Sequence, residues 1–280
     1  MSTIGLALSG GGVLGGAHLG ALQALEELGV RISVVTGTSA GAIVAALYAF
    51  GALNQENRLY QAASFRLFDL NSWQWLAGWA GRRKPTGLLR GERLEAFLRN
   101  NIGDQSIEAA PLPLGICATD LYTGQLVVFG SPARPLPATV WSSDIATAKA
   151  VHASCALPIL FEPVEHEPWL LADGGLVNNL PVDVARALGA EKVIAVDLRG
   201  AQQGLSDTAM SRPVSLHFVA QATLNTLTHR PRIDREQADV TIVPHFPHIN
   251  ILDLRQAQRC VQIGYEATHA AAKQLRALVA

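Results

Sequence analysis

The first fifty residues pass twice from a short apolar run, through a glycine-bearing junction, into an apolar segment of helical period. No other feature constrains the fold as strongly. Residues 3–9 (TIGLALS) enter the glycines of residues 9–16 (SGGGVLGG), and residues 17–28 (AHLGALQALEEL) then repeat aliphatic side chains at helical spacing until Gly29 ends them. Residues 31–37 (RISVVTG) are β-branched and apolar, GTSAG follows at 37–41, and residues 40–50 are aliphatic at helical spacing again. Two consecutive strand-to-helix units predict a parallel sheet covered by helices, an α/β fold.

Past residue 53 the character changes. Residues 54–101 contain RLYQAASFRLFDL, NSWQWLAGWAG, the basic cluster GRRKP and the helix-like GERLEAFLRN, and read as a helical insertion or cap. Strand-like runs resume at 113–120 and 124–130, joined by a turn at Tyr122 to Gly124 that suits a hairpin. Residues 142–152 read as a helix, 168–175 as a short strand, 182–189 as a helix closed by glycine, and 192–198 and 238–244 as strands. Residues 253–279 have helical periodicity, with Asp253 placed to cap them. No repeat or linker interrupts the chain, and 280 residues is a length that one α/β domain reaches. The expectation is a single domain over 1–280 with 54–101 as a cap within it.

Charge excludes one class of partner. Lys and Arg total 22 against 23 Asp and Glu, a formal charge of -1, whereas a nucleic-acid surface concentrates positive charge to meet phosphates. Cys117, Cys155 and Cys260 are odd in number and far apart, with no Cys-x-x-Cys pair and no histidine at metal-ligand spacing. They read as small apolar residues of a reduced protein. No carboxylate run has calcium-loop spacing, so neither metal nor cofactor is expected. The N-terminal MSTIGLALSGGG lacks a basic n-region and an apolar stretch of export length. The longest apolar and glycine stretch, residues 40–53, has 14 residues, below the roughly 20 that cross a bilayer. A cytoplasmic protein is expected, with any membrane contact peripheral and at the inner face.

GTSAG matches G-x-S-x-G. A nucleophile on a sharp strand-to-helix turn needs small flanking residues so that the backbones do not collide, and Gly37 and Gly41 give that room to Ser39. The string alone would arise by chance in about one such chain in ten at ordinary glycine and serine usage. Its place between a β-branched strand and an apolar helix carries more weight, although an N-capping serine would occupy the same position. Upstream, Gly10, Gly11 and Gly12 let backbone N–H groups converge beside a helix start, which suits an anion or a transient oxyanion, as well as close helix packing. Gly10, Gly12 and Gly15 also fit G-x-G-x-x-G. The acidic residue that a dinucleotide site needs about 20 residues on is missing, because no Asp or Glu occurs between Glu27 and Glu56.

An activated serine needs a proton acceptor. His217, His229, His245, His248 and His269 follow Ser39 in the order usual for α/β hydrolases, and none stands in a glycine-flanked loop. Asp173, in LLADGGLVNNLP, ends an apolar strand and precedes Gly174 and Gly175. That setting suits a carboxylate base and an Asp-Gly turn equally.

Taken together, the glycine loop, the G-x-S-x-G elbow and the Asp-Gly-Gly segment, in this order, resemble the patatin-like phospholipases. ASCALPILFEPV (153–164) resembles the family's Ala-Ser-x-Ala-x-Pro segment, and NNLPVDVAR (178–186) the stretch after its aspartate. The resemblance runs from Gly5 to about Asp197 and implies a three-layer α/β/α fold with a mostly parallel central sheet. It also implies a Ser39–Asp173 dyad without a catalytic histidine, an oxyanion hole at Gly10, Gly11 and Gly12, and a lipid or fatty acyl ester as substrate. Leu14 stands where the family often has Arg or Lys, which bears on headgroup selection. Trp73, Trp75 and Trp79, near Arg82, Arg83 and Lys84, either meet a membrane interface or pack the cap onto the sheet. The same fold could also serve as a lipid-binding or regulatory module, or transfer acyl groups to an acceptor other than water.

Overall fold

The computed structural model describes residues 2–53, 87–198, 237–247, 249 and 256–279. The cap tryptophans, His217, His229, His248 and Asp253 lie outside these residues. Strands β1 (Ile4–Leu8) and β2 (Val34–Thr38) and helices α1 (Gly16–Glu27) and α2 (Ala40–Ala49) form the two units that the glycine-punctuated pattern predicts. Then come β3 (Gly87–Leu89), α3 (Glu92–Ile102), β4 (Leu114–Asp120), β5 (Leu126–Phe129) and β6 (Thr139–Ser142). Helix α4 (Thr147–Cys155), strands β7 (Ile159–Phe161), β8 (Val164–His166) and β9 (Trp169–Asp173), and helix α5 (Val182–Ala187) follow. The described chain closes with β10 (Lys192–Val196), β11 (Val240–Ile242), α6 (Ala257–Ala270) and α7 (Ala272–Val279).

Among the described residues, nine strands make one sheet in the order β11-β10-β1-β2-β4-β5-β6, with β9 on β4 and β8 on β9. From β11 to β4 every pairing is parallel. The β4–β5 pair is antiparallel, as the hairpin reading requires, and Gly124 closes its turn at φ 71. Strand alternation sorts the side chains into two cores. Leu6, Leu8, Val35, Ile116, Ile194 and Val196 face one layer with residues of α1, α2, α3 and α4, while Ala7, Val34, Val193 and Ala195 face the other with Val182, Val184 and Ala185 of α5. The result is the three-layer α/β/α arrangement with a mostly parallel sheet.

Position of the last strand pairings decides where chemistry can occur. On one edge of β4, β2 pairs in parallel up to Thr38↔Cys117, and β9 takes over antiparallel at Ala118↔Asp173. The two strands therefore run toward each other along the same edge and stop at adjacent rungs. Thr38 is the last residue of β2 and Asp173 the last of β9, so the chain turns away from the sheet at the same place twice.

The helix expected over 142–152 begins later, at Thr147, because Thr139–Ser142 pair with β5 as β6. β3 and β7 form a separate two-stranded parallel sheet, Gly87↔Ile159 and Leu89↔Phe161. The C-terminal segment holds two helices, and Gln256 precedes the first without a side-chain cap hydrogen bond.

Candidate active site

Ser39 joins β2 to α2 with φ 54 and ψ −120, in a region that residues with a Cβ rarely enter. Its flanking glycines are required by space. A Cβ on Gly37 would stand 2.7 Å from the Ala42 nitrogen, and one on Gly41 would stand 2.6 Å from the Leu8 carbonyl carbon. The elbow thus brings the start of α2 against the end of β1, where the glycine loop begins. The Ser39 N–H donates to Ser154 Oγ at 2.8 Å, and its carbonyl accepts from Ala42 N–H at 2.9 Å.

The loop lies directly against the serine. A Cβ on Gly10 would meet Ser39 Cβ at 3.2 Å and Asn179 Oδ1 at 2.6 Å. Gly10 N–H donates to the Asn179 carbonyl at 3.1 Å, which removes it from the donors a ligand could use. Among the described residues, the N–H groups of Gly11 and Gly12 have no acceptor, and Gly12 adopts φ 59, a left-handed conformation that glycine takes without penalty. His18, fully buried on α1, donates from Nε2 to the Ser9 carbonyl at 2.8 Å and so fixes the start of this loop. Burial pushes the His18 imidazole down to about 4, against the opposing effects of the Ser9 bond and the Asp197 charge.

Asp173 is buried, and hydrogen bonds at its main chain and its carboxylate help to hold it. Its N–H donates to the Ala156 carbonyl at 2.9 Å, its carbonyl accepts from Thr119 Oγ1 at 2.9 Å, and Oδ1 accepts from Gly175 N–H at 2.7 Å. Gly174 is needed because a Cβ there would reach the Cys117 carbonyl carbon at 2.6 Å. Below the elbow, Thr38 Oγ1 donates to the Asn178 carbonyl at 2.9 Å, which ties the segment after Asp173 to β2.

Cys155, the last residue of α4, is buried and unpaired with any other cysteine. Burial pushes its thiol well above the usual range, the Asp173 carboxylate acts in the same direction, and a hydrogen bond with the Ser39 hydroxyl acts against them. One sulfur thus feels both Ser39 and Asp173, in keeping with the adjacent rungs on β4. Among the described residues no histidine hydrogen-bonds to Ser39. His152 pairs with Glu95 at 2.7 Å, His166 with the Asp144 carbonyl, and His269 with Glu27. No group of described residues could hold a metal ion. Ser154, Cys155, Asn179 and His18 were not singled out by sequence reasoning as parts of the site. Ser154 and Cys155 stood in the recognised ASCALP segment, but nothing local showed that they face Ser39.

The patatin-like phospholipase family profile matches residues 6–186. An uncharacterized NTE family protein of Mycobacterium tuberculosis is 34% identical over 205 residues, which cover 72% of this chain and 50% of that protein. Patatin-like phospholipase domain-containing protein 7 of Mus musculus is 33% identical over 209 residues, 70% of this chain and 14% of its own length. The chain thus spans half the length, or less, of these relatives. Among solved structures, VipD from Legionella pneumophila aligns with a TM-score of 0.50 at 18% identity, over 98% of this chain and 67% of that one. ExoU–SpcU from the type III secretion system of Pseudomonas aeruginosa aligns at 0.52 and 20% identity, over 98% and 52%. These two likenesses concern the fold.

Proposed function

Because this chain belongs to the patatin-like phospholipase family, we propose that it is a serine lipid acyl hydrolase working through Ser39 and Asp173. The observation that carries the reading is the meeting of β2 and β9 at adjacent rungs of β4, which ends the two strands at the elbow of Ser39 and at Asp173. Asp173 takes the proton from Ser39 Oγ as that oxygen bonds to the ester carbonyl carbon. The carbonyl electrons move to oxygen, and the N–H groups of Gly11 and Gly12 receive the oxyanion. Collapse of the tetrahedral species breaks the ester C–O bond, and the departing alcohol takes the proton from Asp173. Water then attacks the acyl-serine, gives its proton to Asp173, and releases the fatty acid as Ser39 recovers the proton.

The substrate class is a carboxylic ester of a fatty acyl group, of the phospholipase A, lysophospholipase or carboxylesterase type, with no cofactor. The unit that carries it is a single domain over 1–280 with 54–101 as cap, in the cytoplasm, and Trp73, Trp75 and Trp79 serve either to pack the cap onto the sheet or as peripheral membrane contacts, which liposome sedimentation of a triple Trp→Ala variant distinguishes. Among the described residues no helix is long and apolar enough to cross a membrane.

A lipid-hydrolysis panel with wild type, Ser39→Ala and Asp173→Asn tests the reading. Wild type should release fatty acid, and both variants should fold and lose at least 10³-fold in kcat, roughly 4 kcal/mol of barrier. Wild-type rates in Ser39→Ala would refute the nucleophile, and full activity in Asp173→Asn would refute the dyad. A folded wild type that binds lipid without releasing acid would instead favour a binding module, and acyl transfer to an added alcohol in place of free acid would favour a transferase.

A further inference from the structure

The last turn of α4 touches both proposed catalytic residues at their main chains. Ser39 N–H lies one residue beyond Thr38, the last rung that β2 makes with β4, and two beyond Gly37, which pairs with Leu8 in the last rung with β1. Neither ladder offers it a carbonyl. Ser154 Oγ accepts it at 2.8 Å, and Ser154 is fully buried, so water does not compete. Two residues on, the Ala156 carbonyl accepts Asp173 N–H at 2.9 Å. The preceding turn is fixed in turn by His152 Nδ1 and Glu95 Oε1, 2.7 Å apart, which tie α4 to α3.

We propose that Ser154 is a positioning residue that holds Ser39 in its φ 54 conformation and, through the shared turn at 154–156, sets the serine against Asp173. The inference rests on the hydrolase reading. A backbone in a sparsely populated region persists only where its surroundings over-determine it. Ser39 is anchored at both main-chain groups, by the Ala42 and Ile43 N–H groups on its carbonyl and by the Ser154 hydroxyl on its N–H. The first belongs to any helix start. The second is particular to this site, and it fixes the plane of the peptide from which the side chain projects.

Ser154→Ala removes the acceptor and adds no bulk. With a short-chain ester the expected result is a kcat about tenfold lower with KM within twofold of wild type, and a matching fall in the rate at which a fluorophosphonate labels Ser39. A crystal structure of the variant should show Ser39 shifted away from φ 54. Unchanged kcat in a folded Ser154→Ala protein overturns the proposal, and so does a raised KM at wild-type kcat, because a loss of binding is not a loss of alignment. If wild type itself hydrolyses no ester, the hydrolase reading fails, and the structure alone then decides. A Ser39 retained at φ 54 in Ser154→Ala overturns the positioning role independently of activity.

Discussion

Ile159 stands at φ 74 with 70% of its surface exposed, although it is β-branched and bulky. A side chain in that conformation stores about 1–3 kcal/mol of strain, whereas glycine in its place loses about 0.5–1 kcal/mol through its greater freedom in the unfolded chain. Little burial is at stake at such exposure, so strain relief wins. Ile159→Gly should raise the melting temperature by about 2 °C in scanning calorimetry, and a lower melting temperature would show the backbone to be relaxed there. His18 works in the opposite direction, as a group held in its neutral form. Its pKa is about 4 in the folded chain against an ordinary 6.5, so the unfolded state binds more protons between those values. Stability from this group is complete above pH 6.5 and is lost as pH falls toward 4, about 3 kcal/mol in all. Urea unfolding at pH 7 and pH 5 should show a drop in wild type that His18→Gln reduces by about 2 kcal/mol. Equal drops in the two proteins would mean that His18 is not held neutral. Ser39 and Asp173 were legible because each stands in a short motif whose glycines are needed for close approach. Ser154 and Asn179 were not, because their contacts join residues more than 100 positions apart and leave no local pattern.

Among elements, those lying in a sustained apolar run were readable, the three-residue β11 within 238–244 included, and those held by pairing alone were not. β1, α1, α2, β4 and β10 each present an apolar repeat in the sequence. β3, β7 and β8 have three residues each, too few for alternation to register, and β6 follows a proline-rich stretch that masks it. The contact between α1 and α6 was likewise hidden, although glycines create it. A Cβ on Gly20 would stand 2.7 Å from the Tyr265 nitrogen, and one on Gly264 would meet the Ala17 carbonyl carbon at 2.6 Å. Both obstacles are backbone, which cannot swing aside. Gly20→Ala should therefore lower stability by about 3 kcal/mol by forcing the helices apart, as seen in the urea midpoint. A midpoint within error of wild type would mean that α6 is free to shift.

At the scale of the whole molecule, the parallel half of the sheet brings the ends of β1 and β2 together. The antiparallel strand β9 then enters from the opposite end of the same β4 edge. The glycine loop, the elbow and the aspartate come from positions 10–12, 39 and 173, and only this change of direction lets them meet. Order along the chain was readable from motifs, but the change of direction was not, since nothing in LLADGG specifies an antiparallel partner. The arrangement makes Ser39 the one serine expected to react with an acyl-ester mimic. Intact-mass spectrometry after treatment with a fluorophosphonate, followed by peptide mapping, measures this directly. A single adduct on Ser39 in wild type, absent from Ser39→Ala and slowed in Asp173→Asn, is the predicted result. A folded wild type that stays unlabelled, or an adduct that persists in Ser39→Ala, would contradict it.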